Sequence, residues 1–327
     1  MEESNWKPYA VHQLPLWCSM ATVFLFFLHS GARVLGNAQV PPCSCSGLAG
    51  RQRNNNDLTS VAKSNYYPYG VDFYQGPREV TRSTFPTFPV HVSDLNGTQL
   101  LAGVNYASAA AGILEESAQF LGERFDLSEQ VLNFQSNLEQ MRMVLGGERM
   151  LSQFLASSIV VMIIGSNDYI NNYLLPSLYS SSYNYSPEDY ADLLLNRLTR
   201  QLLALHSVGL RKFLVAGLAP LGCIPSQRTA ALAPRLIEQL NDAHTGATFV
   251  YGNTYAAVGD ILNNPSAYGF RVVDRACCGI GRQQAEITCL PLATPCANRS
   301  EYVFWTPSTL QRRSTRSSRR GHLTAPL

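Results

Sequence analysis

Two short β-branched runs constrain this chain more than any other feature. Residues 158–165 read SIVVMIIG and residues 211–217 read RKFLVAG; each ends in glycine, and each suits a strand buried on both faces of a parallel sheet. Between them, residues 187–206 carry Tyr190, Leu193, Leu194, Leu198, Leu202 and Leu205 at helical spacing. Ser186-Pro187-Glu188 supplies a start for that helix: a capping hydroxyl, a proline in the first turn, and an acid at the positive end of the dipole. Residues 114–155 are mostly helical in pattern, with a break at Gly146-Gly147. Pro234 opens a further helix, and Phe249-Val250-Tyr251 suggests a further strand. Alternation of this kind predicts an α/β fold with a mainly parallel sheet. Ligands of such sheets bind beyond the carboxyl ends of the strands, so the turns after Ile164 and Gly217 are where chemistry is expected.

The N-terminus reads as an export signal. Lys7 precedes an uncharged apolar run at 16–28, too short to span a bilayer as a helix, and Gly36-Asn37-Ala38 offers small residues for cleavage near Ala38. The bland alternative is a buried helix that begins the domain. Eight cysteines fit export: Cys18 lies in the leader, Cys43 and Cys45 just after it, Cys223 alone, and Cys277, Cys278, Cys289 and Cys296 together. Their spacing does not repeat CxxC, so disulfides of open connectivity are expected rather than zinc. Sequons at Asn96, Asn184 and Asn298 become plausible glycan sites in an exported chain. A net charge of +2 and 15% charged residues give no reason to expect a nucleic-acid partner. No apolar run is long enough to cross a membrane. The division expected is a signal peptide at 1–38, a domain at 39–305 that is irregular over 39–53, and a disordered basic tail at 306–327. The tail's Arg312, Arg313, Arg316, Arg319 and Arg320 show no amphipathic period.

Gly165-Ser166-Asn167-Asp168 follows the first strand directly. The glycine permits a sharp turn, and the Asn167 amide can point a donor across the strand ends toward an oxyanion. Alone, Gly-x-Asn-Asp is an ordinary turn. Upstream, residues 103–113 read GVNYASAAAGI, small residues that permit close backbone approach; alone this is a packing turn. Together with IGSNDYINNY at 164–173, AGLAPLGCIP at 216–225, NNNDLTSVAKSNYYPYGVDF at 54–73 and the stretch 249–305, these segments resemble the plant GDSL esterase/lipase family of SGNH hydrolases. The resemblance covers roughly 54–76 and 99–305. It implies a three-layer α/β/α sandwich with a flavodoxin-like sheet, and ester hydrolysis by a serine nucleophile, a histidine base and an orienting aspartate. The implied oxyanion hole takes the Asn167 amide, the nucleophile's own N–H, and one second-block N–H, from Ala110 or from Gly112.

The same resemblance exposes departures. The first block, which contains Gly-Asp-Ser-Leu in the family, reads PPCSCSGLAGRQR at 41–53, so the nucleophile and the strand bearing it are missing. Ser44 and Ser46 do not replace it. The fifth block, Asp-x-x-His-Pro after Phe-Trp, is replaced by Thr306-Pro307-Ser308-Thr309, and His322 lies too far along. The sheet is therefore expected to be incomplete at its first strand, and the fold at its C-terminal helix. Residues 77–99 and 225–248 also look shortened. One set of codons for residues 306–320, read with one added G in front, gives Asp-Ala-Phe-His-Pro-Thr-Glu-Ala-Val-Asn-Ala-Ile-Ile-Ala-Gln. Codons for 47–53 read one base later give Asp-Ser-Leu-Val-Asp-Asn. The chain thus reads as a frame-disrupted relative of an exported ester hydrolase, inactive as written. The alternatives are a non-catalytic secreted relative that binds an acyl or glycan ligand, and a secreted protein with a structural or interaction role. The resemblance implies an ester or lipid substrate and no metal or organic cofactor, and leaves the oligomeric state open.

Overall fold

The β-branched runs form the strands they predict. In the computed structural model, which describes residues 26–28, 55, 58–63, 66–68, 88–89, 100–101, 104–218, 236–281, 284, 289–306 and 309–310, they lie side by side in one sheet. The strands are β1 (Phe26–Leu28), β2 (Phe88–Pro89), β3 (Val104–Asn105), β4 (Ile159–Ile163), β5 (Lys212–Ala216) and β6 (Thr248–Gly252), in the order β2-β3-β1-β4-β5-β6. The pairs β2–β3, β4–β5 and β5–β6 are parallel, as an α/β alternation demands. Val160, Phe213 and Phe249 are register partners across β4, β5 and β6, and all three are buried. The Phe213 and Phe249 rings stack at 4.5 Å with 7° between their planes. Each contributes about 1.5–3 kcal/mol of burial free energy. At the β6 edge, Asn241 from the helical stretch 236–243 clamps the backbone: its Nδ2 donates to Phe249 O and its Oδ1 accepts from Phe249 N, both at 2.8 Å. This satisfies groups that an edge strand leaves open.

Helices α1 (Leu127–Ser136), α2 (Leu138–Leu145), α3 (Glu148–Ser157), α4 (Pro187–Ser207) and α5 (Thr254–Asn263) complete the main body. In α1, Asp126 accepts from Ser128 N and Glu129 N, while Glu129 accepts from Asp126 N, a reciprocal capping box. The helical pattern predicted from 114 begins only at this box. The predicted break falls between α2 and α3, where Gly146 (φ +82°) and Gly147 (φ +132°) take conformations that L side chains rarely adopt. Ser186 caps α4 by accepting from Asp189 N at 3.1 Å. The predicted apolar face is buried at Tyr190, Leu194, Leu198, Leu202 and Leu205, with Leu193 packed at its margin.

Two features lie outside the parallel pattern. The strand position between β3 and β4 is filled by β1, from within the apolar run at 16–28, and β1 runs antiparallel to both neighbours. Strand pairing also continues past Trp305. A second sheet orders β7 (Val272–Ala276), β8 (Tyr302–Thr306) and β9 (Thr309–Leu310), with Thr306 opposite Thr309. The tail expected to be disordered from 306 thus begins inside a sheet. The remainder of that tail, the stretch 39–53 expected to be irregular, the expected cleavage site near Ala38, and Pro234 lie outside the described residues. Disulfides Cys277–Cys296 and Cys278–Cys289 tie the β7 end to the segment before β8 and settle the pairing of the clustered cysteines. Tyr66 and Trp305 pack on them. No group of metal-ligating side chains is found among the described residues, and no helix there is long and apolar enough to cross a membrane.

Candidate active site

The carboxyl end of β4 leads into the turn that the sequence marks. Ile163 ends the strand, and Gly165 takes φ +113°, where a Cβ would come within 3.2 Å of Leu218. A single helical turn, Ser166–Asp168, follows, with all three residues buried. A π-type turn at Tyr169–Tyr173 continues it and buries Asn171 and Asn172. The other half of the site is the loop after β3, where Tyr106, Ala107, Ser108, Ala109, Ala110, Ala111 and Ile113 are all buried. Small side chains are what allow this backbone to pass so close to the turn after β4.

The two segments meet through Asn167. Its Nδ2 donates to Ala111 O at 2.8 Å, and its Oδ1 accepts from Asn171 Nδ2 at 2.8 Å. The amide plane is thus fixed from both ends, with oxygen and nitrogen assigned by their partners. Asn167 thus lies against the residue between Ala110 and Gly112. Ala110 has φ +65°, a left-handed conformation that an alanine adopts only under constraint. Gly112 has a different reason to be glycine, because a Cβ there would sit 2.5 Å from Asp168 Oδ1 and 2.6 Å from Ser117 Cβ. Among the described residues, neither the Ala110 nor the Gly112 N–H donates a hydrogen bond.

Sequence reasoning missed the groups that hold this arrangement. Asp168 is fully buried; its Oδ2 accepts from Ile113 N at 2.8 Å, and its Oδ1 accepts from Leu114 N at 2.9 Å and Ser117 Oγ at 2.7 Å. Burial pushes its pKa up to about 6, against the opposing pull of those three donors. Tyr190, from α4, donates to Asp168 O at 2.9 Å. On the opposite flank, buried Asn55 donates from Nδ2 to Ala109 O at 3.1 Å and accepts on Oδ1 from Ala109 N and Ser108 Oγ. Ser108 Oγ also accepts from Phe125 N. Asp168 and Asn55 therefore grip the alanine-rich loop from either side. The one available signal was the density of amide and acid side chains beside small-residue turns, at 54–57 and 167–172.

Among the described residues, no histidine lies beside Asn167. The described histidines, His206 and His244, meet in a tilted contact, with ring centroids 4.8 Å apart and 53° between their planes. His206 lies where α4 turns back into β5 and His244 just before β6, both at the strand-start end of the sheet, whereas Asn167 follows the carboxyl end of β4. Burial, then Arg211 and His244, lower the His206 pKa. At the positions following Phe304-Trp305, Thr306 and Thr309 face each other as β-partners.

The family model described as GDSL-like Lipase/Acylhydrolase matches residues 48–305. Among similar proteins, one GDSL esterase/lipase of Arabidopsis thaliana is 44% identical over 339 aligned residues, covering 92% of this chain and 90% of that protein. A second from the same plant is 45% identical over 290 residues, covering 77% and 75%. A third is 40% identical over 324 residues, covering 88% of each.

Proposed function

The chain belongs to the GDSL-like lipase/acylhydrolase family, and from that premise we propose that it is an exported carboxylic-ester hydrolase scaffold which keeps the oxyanion-binding half of its site and lacks the attacking half. The observation that carries this reading is the Asn167–Ala111 hydrogen bond, which joins the turn after β4 to the loop after β3 inside a buried polar frame. When a serine oxygen adds to an ester carbonyl, negative charge gathers on the former carbonyl oxygen. Fixed N–H donors aimed at that oxygen lower the barrier by about 3–4 kcal/mol for each donor whose loss has been measured in comparable sites. In this chain the donors are the Asn167 amide and the Ala110 N–H. Gly112 serves instead as the close-packing point for Asp168.

The sequence supports absence of the other half. The family match spans 48–305, so its limits fall at the two stretches where the serine block and the Asp-x-x-His block are expected. Thr306 and Thr309 stand where the aspartate and histidine are expected. Threonine at neither position can accept a proton from a nucleophile at neutral pH. Without the triad, turnover falls by about four orders of magnitude or more. Disulfide bonding, the apolar leader run and exposed sequon asparagines Asn184 and Asn298 support export and glycosylation. The ligand class is an ester or lipid acyl group.

Hydrolysis of a short-chain chromogenic ester tests the proposal. The chain as written is compared with one whose residues 47–53 and 306–320 are replaced by the frame-restored segments. Activity only after replacement is expected; hydrolysis by the unaltered chain refutes the proposal. Thermal stabilisation of the unaltered chain by the non-hydrolysed ester analogue would show that the remaining cradle still binds.

A further inference from the structure

We propose that the sheet position between β3 and β4 is a strand-acceptor slot, and that residues 26–28 of this chain's own leader occupy it as a structural strand. The inference rests on the sheet and stands apart from the hydrolase reading. Strands β3 and β4 are not paired with each other; on their facing edges both pair with β1. β4 is a central strand, with Val160 and Met162 completely buried and β5 on its other side. An open edge there leaves backbone N–H and C=O groups buried without partners, each costing about 1–3 kcal/mol. The slot therefore demands an occupant.

The direction of β1 sets it apart from the rest of the sheet. The remaining neighbouring pairs of the six-stranded sheet, β2–β3, β4–β5 and β5–β6, are parallel. A parallel strand is delivered by a crossover built into the fold, whereas an antiparallel one enters from the opposite end. Strand addition works through main-chain hydrogen bonds and tolerates many sequences, so an apolar uncharged run can serve if the chain can reach. The register is definite: Phe26 faces Val161, Phe27 faces Val160 and Leu28 faces Ile159. Cleavage near Ala38 removes this strand. Leader removal and closure of the sheet are thus alternative fates, and a molecule that keeps residues 26–28 has a filled sheet.

Paired cysteines in the full chain, produced without export, test this. Opposed residues of antiparallel strands have Cα atoms about 4.5–5.5 Å apart, within the range a disulfide spans. F27C/V160C is expected to form an intrachain link on mild oxidation, read by mass spectrometry of the unreduced digest. F27C/M162C, displaced by two residues, is expected not to. No link in the first pair, equal linking in both, or a link found only between two copies would overturn the assignment; the last result would give the slot to a second copy. Hydrogen exchange adds a measurement that needs no oxidation. Phe27→Pro is expected to accelerate exchange of the 159–163 amides by about tenfold or more. Unchanged exchange there would equally overturn the proposal.

Discussion

At the scale of single residues, the site is held by groups that do no chemistry. Asp168 receives three donors on two oxygens, and Asn55 receives two while giving one. Asp168→Asn turns one acceptor into an NH2 group facing a donor. Urea unfolding at pH 7 is expected to show a loss of about 1–3 kcal/mol, the cost of a buried unsatisfied group. The pH dependence has a definite sign. The folded-state pKa, about 6, lies above the ordinary value of 3.8, so the folded protein binds the Asp168 proton more tightly. Its contribution to stability is fully present below pH 3.8 and is lost as pH rises through about 6. The wild-type advantage over Asp168→Asn is therefore expected to shrink between pH 4 and pH 7. Asn167→Ala orphans the Ala111 carbonyl and the Asn171 amide. In the frame-restored chain it is expected to lower kcat by about 10²–10³. Ala110→Gly relieves the left-handed strain and is expected to stabilise the fold by about 1 kcal/mol, seen as a raised urea midpoint. Of these residues Asn167 was legible in sequence, because a donor after a strand-ending glycine has a recognisable place. Asp168 and Asn55 were not, because polar side chains in turns read as solvated until tertiary packing buries them.

At the scale of elements, periodicity carried the prediction wherever an element buries one regular face. β4, β5 and α4 lie where their apolar patterns put them, within two residues at each end. β1 was invisible for a physical reason. Three residues inside a longer apolar run have no period of their own, and their strand state is imposed by the edges of β3 and β4. The disulfide pairs were equally hidden, since four cysteines allow three connectivities. The observed pairs close segments of 19 and 11 residues. Chain-entropy reasoning assigns about 3 kcal/mol to a loop of roughly that size. Replacing Cys277 and Cys296 together by alanine is expected to lower stability by about 2–4 kcal/mol, measured as the shift in urea midpoint at constant slope. The β7–β8 end bears that loss, because Trp305 and Tyr66 pack on the linked sulfurs.

At the scale of the whole molecule, the proposed function divides one family scaffold into two unequal halves. Among the described residues of 104–306 lie β3 to β6 of the main sheet, its helices, the Asp168 side of the buried polar frame and both disulfides. On the proposed reading, the flanking stretches 41–53 and 306–320 lack the reactive side chains that the resemblance leads one to expect, and one choice of codons gives a family-like reading at each after a single-base shift. Sequencing of the transcript across codons 40–54 and 300–327 is expected to reveal the shifted frames. The central claim, that a cradle persists without an attacking hydroxyl, is tested most directly by a fluorophosphonate probe, which forms a covalent bond only with an activated serine. Intact-mass and peptide mapping of the unaltered chain should find no labelled serine, while the frame-restored chain is labelled once, in its restored Asp-Ser-Leu segment. A stoichiometric adduct on any serine of the unaltered chain, Ser108 or Ser166 beside Asn167 above all, would contradict the account.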